Sequence, residues 1–334
     1  MLKIGKLSND QLEKILTNFS GKQRDEVLTR PVIGEDCAVL NFGRDLCVVT
    51  TDPITGAESD IGTLAVHIAC NDLASSGAEP VGLMVTLLVP PWTEFEEITE
   101  VMSQLKKEAD LVKADIIGGH TEVTDAVTRI VVSITALGKA RENKVVTTSG
   151  ACPGDHIIIT KYAATEGTAI LANLLRDLLE DRIGKEIVDR ARQLIGSISV
   201  LNEGLIASEY GVTSMHDITE GGVLGAVWEL CHASGCGAVV YKDRIPLLEE
   251  TRVICECLGL DPLKLISSGS MLITCEDGDG LVKKLQESGI QSGIIGKITQ
   301  DSECLLIEGE IALKIDAPDS DELYKARKLL RGVE

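Results

Sequence analysis

Aromatic side chains are nearly missing: three Phe, two Trp and four Tyr make up 3% of 334 residues. A chain so poor in rings must build an aliphatic core, and stacking is not its main way of holding a ligand. Basic residues are also short, 32 Lys and Arg against 52 Asp and Glu, for a formal net charge of −20. That balance excludes a broad nucleic-acid surface, which needs a basic stripe to follow phosphates. There is no run of 18 apolar residues to span a bilayer, and Met1-Leu2-Lys3 opens without the apolar stretch of a secretory signal. The expected setting is therefore cytoplasmic, with small molecules or proteins as partners. Among the ten cysteines there is no Cys-x-x-Cys; Cys231 and Cys236 are five apart and Cys255 and Cys257 two apart, so a zinc ribbon or a thioredoxin-type pair is not supported. Most are expected to be small buried hydrophobes. No Gly/Ser linker and no repeat period interrupts the chain, and its 44% hydrophobic content suffices for two firmly joined domains.

What is present divides near residue 150. The first part, 1–148, begins with a capped amphipathic helix (Ser8-Asn9-Asp10, then Leu12, Ile15 and Leu16) and strand-like stretches at Ala38–Leu40 and Leu46–Thr50. A helix starting at Asp60 carries Leu64, Ala65, Ile68, Ala69 and Leu73 at helical spacing, leaving Asn71 and Asp72 near its last turn. A strand at Val81–Val89, a helix at Phe95–Leu111, a strand at Asp115–Ile117 stopping at Gly118-Gly119, and a long apolar run at Thr128–Leu137 follow. The second part, 149–334, alternates. Helices are expected at Thr168–Leu179, Ile198–Tyr210, Val223–Ala233 and Gly280–Ser288, with strands at Ile157–Thr160, Thr213–Met215, Gly237–Tyr241, Met271–Cys275 and Ile294–Ile298.

Four short carboxylate-bearing turns mark the first part: Gly34-Glu35-Asp36, Thr50-Thr51-Asp52, Asn71-Asp72 and Gly118-Gly119-His120-Thr121-Glu122. Acids gathered in one place repel unless a cation joins them, so the turns are expected to form one Mg²⁺ site that also holds a phosphorylated ligand. Each has a plainer reading. Asp52 alone could cap a turn, Glu35 and Asp36 could be solvated after Gly34, and His120 could be a structural histidine. Asn71-Asp72 is harder to set aside, because burying two polar groups in an apolar helix is costly without partners. Cys37 is not a nucleophile candidate, since the neighbouring carboxylate disfavours its thiolate, and His67 on the apolar helix face is most simply a core residue.

The turns do not stand alone. With Gly34-Glu35-Asp36-Cys37-Ala38 and Thr51-Asp52 come Asp60-Ile61-Gly62, Asn71-Asp72-Leu73-Ala74-Ser75-Ser76-Gly77, Gly118-Gly119-His120-Thr121, Pro153-Gly154-Asp155, Glu166-Gly167-Thr168, His216-Asp217-Ile218-Thr219-Glu220-Gly221-Gly222 and Ser268-Gly269-Ser270. In this order the chain resembles, nearly end to end, the PurM-like superfamily of aminoimidazole ribonucleotide synthetase, selenophosphate synthetase, thiamine monophosphate kinase and the hydrogenase-maturation protein HypE. The particular likeness is to HypE, through the Asp60-Ile61-Gly62 and His216-Asp217 motifs.

The resemblance implies an α/β (α+β) protomer whose β-rich N-terminal domain forms a β-barrel shared in a homodimer, followed by a C-terminal α/β domain. It implies ATP and Mg²⁺, with Asp36, Asp52, Asp72 and Glu122 as metal ligands. Asn71, Thr51, Gly118, Gly119, Glu166, Gly167, Gly221 and Gly222 would bind the nucleotide, the last four as helix starts, for which plain capping is the alternative. His120, His216 and Asp217 are the implied catalytic groups. HypE proteins activate a carboxamide on their own C-terminal cysteine. This sequence ends Leu330-Arg331-Gly332-Val333-Glu334, its nearest cysteine being Cys304, and it carries Glu35, Thr63 and Glu220 where relatives carry Asp, Lys and Arg. The expected activity is therefore ATP-dependent phosphorylation of an oxygen on a small-molecule or carboxamide substrate. The alternatives are a HypE-like role in which a metallocentre-assembly partner supplies the cysteine, and a nucleotide-binding scaffold.

Overall fold

The computed structural model describes residues 5–6, 14–15, 17–18, 24–27, 41–43, 45–54, 60–141, 144–318 and 320–331. The expectations for Ser8–Asp10, Leu12, Leu16, Glu35, Asp36, Cys37 and Ala38–Leu40 lie outside these residues. The chain separates into two compact units, residues 1–73 with 78–143, and residues 74–77 with 144–334.

The first unit holds β1 (Gly5–Lys6), β2 (Leu46–Ile54), α1 (Ile61–Ser75), β3 (Glu79–Val89), α2 (Phe95–Leu111), β4 (Asp115–Val123) and β5 (Val131–Ala140). Its five strands are ordered β1-β4-β3-β5-β2, with β3 and β4 parallel and the other pairs antiparallel. Helix α2 starts on a capping box in which Glu94 and Glu97 satisfy each other's backbone amides, and it buries Ile98, Val101, Met102, Leu105 and Ala109 at helical spacing. Helix α1 lies on the sheet, with Leu73 against Gly138 of β5.

Strand alternation sorts this sheet into two faces. Leu83, Val85, Leu87, Val132, Ile134 and Ala136 are buried on one; on the other, Val49 and Met84 are 57% and 37% exposed. The open face mixes these aliphatic side chains with Thr51, Thr86, Ser133 and Thr135.

Strand β4 does not stop at Gly118-Gly119, as the sequence suggests, but runs on to Val123. The reason lies in the neighbouring strand. A Cβ at Gly119, where φ is +152°, would stand 1.8 Å from the Val85 carbonyl oxygen, so the glycine lets β3 and β4 approach beside a register shift at Leu83/Met84.

The second unit contains β6 (His156–Thr160), α3 (Thr165–Leu174), α4 (Arg176–Ile183), α5 (Lys185–Gln193), α6 (Leu201–Tyr210), β7 (Ser214–Asp217), α7 (Gly222–Ser234) and β8 (Gly237–Tyr241). It continues with α8 (Glu249–Leu258), β9 (Met271–Cys275), α9 (Gly278–Glu287), β10 (Ser292–Thr299), β11 (Cys304–Glu308), β12 (Ile311–Lys314) and α10 (Glu322–Arg331). Its sheet order is β12-β11-β8-β10-β6-β9-β7. Both faces of the middle strands are covered: Ile157, Ile159 and Leu272 pack with Val227 and Leu230 of α7, while Ile158, Met215 and Ile273 pack with Leu281 and Leu285 of α9. This is why β6 and β9 read as unbroken apolar runs. The single helix expected at Thr168–Leu179 is two, α3 and α4, meeting at Leu175. Among the described residues no helix is long and apolar enough to cross a membrane.

The two adjacent glycines of β4 give a direct check. Gly119→Ala should lower stability by about 2–4 kcal/mol through backbone strain and clash, whereas Gly118→Ala, with nothing within 4 Å of its added carbon, should change it by less than about 1 kcal/mol in thermal or urea unfolding.

Candidate functional site

In the first unit the site is organised by one side-chain contact. The Thr50 hydroxyl donates to Asp72 Oδ2 at 2.5 Å, joining the middle of β2 to the last turn of α1. Alternation places Asp52 on the same strand face as Thr50, two residues along β2 from the hydroxyl that holds Asp72. Asn71, beside Asp72, is fully buried. Thr51 is turned to the opposite face, where its hydroxyl bonds with that of Thr135 at 3.0 Å. The residue that reaches the acids is Thr50, which the motif Thr50-Thr51-Asp52 contains but only the two-residue period singles out.

The expected gathering of all four turns at one cation is not what these residues form. Pairing aligns Asp52 with Ile134, Val85 and Gly119 across the sheet, so β2 and β4 stand three strands apart, a separation of about 14 Å at ordinary strand spacing. His120 and Glu122 also lie on the other face, paired with Thr86 and Leu88 in the rows that share the open side of Met84. There they contact each other at 3.4 Å, about 40% exposed. Glu122 therefore does not share an ion with Asp52 and Asp72 in one protomer. Among the described residues no group of three or more His, Cys, Asp or Glu is arranged to hold a metal. Two carboxylates with a hydroxyl form an all-oxygen partial set. Such a set suits Mg²⁺, which usually takes one or two protein carboxylates and completes its shell with phosphate oxygens and water.

A second polar pair lies deeper. His67 of α1 is buried, as expected of a core residue, but its Nε2 meets Glu108 Oε2 of α2 at 3.0 Å. This bond, helped by Lys107, holds the Glu108 carboxyl down at about 2. The helical spacing showed the burial of His67 and could not show its partner 41 residues away.

In the second unit the motif glycines are engaged by the chain itself. The Gly221 amide, just before α7, donates to Asp321 Oδ2 at 2.8 Å, so an internal carboxylate takes the place of an anionic ligand there. The Gly167 amide in the first turn of α3 donates to the Ile266 carbonyl at 3.0 Å, and a Cβ on Gly167 would stand 2.4 Å from Leu265. Both glycines thus serve close packing at helix starts. His216 Nε2 contacts Glu229 Oε2 of α7 at 3.0 Å, and Asp217 is buried at the end of β7.

Glu166 is the outstanding titratable group. It is 97% buried in the first turn of α3, and its Oε2 has no hydrogen-bond partner among the described residues. Burial pushes its carboxyl up to about 7, and the charges of Asp321 and Glu220 add to the rise against the pull of Ser268. A carboxyl tuned to neutrality can hold or release a proton under working conditions.

The protein is thus a two-unit α/β molecule with a carboxylate pair at a helix–strand junction. Residues 34–140 match the AIR synthase related protein N-terminal domain and residues 152–307 its C-terminal domain; the chain belongs to this family and has its PurM-like fold. It is 29% identical over 299 residues to a putative hydrogenase expression/formation protein of Methanocaldococcus jannaschii, covering 86% of this chain and 87% of that protein. It is 28% identical over 274 residues to carbamoyl dehydratase HypE of Rhodobacter capsulatus, covering 80% and 78%. Among solved structures it resembles Escherichia coli HypE with a TM-score of 0.80 at 21% identity, over 96% of this chain and all of that one. HypE in complex with ATP gives 0.75 at 20%, over 93% and 96% of the chains. HypE from a HypE–HypF complex gives 0.72 at 22%, over 84% and 92%.

Glu166 carries a pH signature. Between pH 4.5, its ordinary value, and about 7, the folded chain holds a proton that the unfolded chain has lost, so this carboxyl makes stability fall as pH rises through that window and level off above it. Glu166→Gln should remove that decline in urea-unfolding curves taken across the range. An unchanged slope would show that the carboxyl does not titrate there.

Proposed function

We propose that this chain is an ATP- and Mg²⁺-dependent enzyme of the HypE kind, which phosphorylates a carboxamide or other small-molecule oxygen in the assembly of a hydrogenase metallocentre. The observation that carries the reading is kinship of 28–29% with a hydrogenase expression/formation protein and a carbamoyl dehydratase HypE, each over four-fifths or more of this chain. The likeness of fold to ATP-bound HypE accords with it.

The chemistry of the first unit fits. A protein of net charge −20 can hold a triphosphate only if divalent ions bridge carboxylate and phosphate oxygens. Asp52 and Asp72 are the described residues that would hold Mg²⁺, with Asp36 of the Gly34-Glu35-Asp36 turn as a further expected ligand. The ion would screen phosphate charge and polarise the transferred group. Thr50 fixes the orientation of Asp72, and fully buried Asn71 holds its place beside it. In the second unit His216, steadied by Glu229, and Asp217 are proposed as proton-handling groups, with the buried Glu166 as a separate one.

The open sheet face with Val49, Met84, His120 and Glu122 supports a homodimer in which two such faces close a shared barrel. A metallocentre-assembly protein fits as a further partner, since HypE is known in a complex with HypF.

Asp52→Asn and Asp72→Asn should each lower Mg²⁺-dependent ATP turnover by a factor on the order of 100 or more while leaving the melting transition in place. Thr50→Val, which removes one hydrogen bond to a charged group and no charge, should cost roughly tenfold. Turnover unchanged in both aspartate variants would sink the proposal.

A further inference from the structure

Among the described residues, the last strand of the second sheet has no neighbour on its outer side. β12 pairs on one side with β11 and ends the seven-strand order, and each of its four residues is exposed, Ile311 by 60% and Leu313 by 44%. It is reached through a tight turn at Gly309-Glu310, where Gly309 has φ +60°. A bare strand edge offers a row of backbone donors and acceptors to another strand, and proteins commonly cover or charge such edges. Here the edge carries two large aliphatic side chains on one face.

The order of residues along this edge is self-complementary. In Glu310-Ile311-Ala312-Leu313-Lys314 the even positions bear an acid, a methyl and a base, and the odd positions bear two aliphatics. When two copies run antiparallel about Ala312, position n meets position 624 − n. Ile311 then faces the partner's Leu313 on one side of the ribbon, and Glu310 faces the partner's Lys314 on the other, each contact occurring twice. Moving the axis by one residue loses both charge pairs. Lys314 has an ion pair with Asp316 of its own chain at 3.3 Å, but both side chains are largely exposed and the pair is weak enough to exchange.

We propose that β12 is a self-pairing edge, at which two copies of this chain join antiparallel strands around a two-fold axis through Ala312. The contact is isologous, so it closes on itself after two copies. It is separate from any pairing through the open face of the first unit, and where both occur it adds an association step of its own. Cross-strand aliphatic and opposite-charge pairs supply the specificity, and the charge pairs make the contact weaken with salt.

The test uses the full chain in sedimentation equilibrium at low ionic strength, comparing it with Glu310→Lys, Lys314→Glu and the double variant. Each single change sets like charges opposite each other twice, and should weaken one association step by about tenfold or more. The double variant restores opposite charges in reversed order and should recover it. Both side chains are exposed, so matching melting curves establish that all four proteins are folded. The proposal is overturned if the masses of all four agree, if the double variant fails to recover the step, or if the unaltered chain shows no such step, in which case the edge belongs to another protein's strand.

Discussion

The Thr50–Asp72 hydrogen bond holds the candidate site together, because it fixes the end of a helix against the strand face that also carries Asp52. Nothing in the local sequence compels Asp72 to face β2. That follows from α1 lying across the sheet, with Leu73 seated on Gly138, which brings its last turn over the strand face that carries Thr50 and Asp52.

The same pleat decides what the site excludes. Thr51 and Asp52 are neighbours in sequence and are turned to opposite faces of the sheet. His120 and Glu122 belong to the face opposite Asp52, three strands away. The first unit therefore presents two chemistries on its two sides: oxygen ligands under a helix, and an exposed imidazole–carboxylate pair among aliphatic side chains. The second unit treats its motif glycines differently again, filling the start of α7 with its own Asp321 and leaving Glu166 buried and near neutrality.

Much of this was legible in the sequence, and for physical reasons. Helix α2 matches its expected range because a capping box and a clean apolar stripe mark it, and β8 and β9 match because short β-rich runs sit between turn residues. The reach of β4 beyond Gly118-Gly119 was not legible, since Gly119 answers to the Val85 carbonyl on another strand. Nor was α5, a nine-residue helix set off from α4 by Gly184 alone, whose apolar face is the short group Ile187, Val188 and Ala191. In the site, the acids were identifiable by type and position. Their division between two faces needed the sheet order, and the Thr50, His67–Glu108 and Gly221–Asp321 contacts join residues 22, 41 and 100 positions apart, beyond any local pattern.

Asp52 and Asp72 are proposed to form the protein side of one magnesium–triphosphate site. A crystal structure of the chain with a non-hydrolysable ATP analogue and Mg²⁺ tests it most directly. The expected result is a metal ion with carboxylate oxygens of both residues, or of one with the other held through a bound water, at the Mg–O distance of about 2.1 Å, and phosphate oxygens completing the shell. A nucleotide bound with its metal away from both aspartates would contradict it.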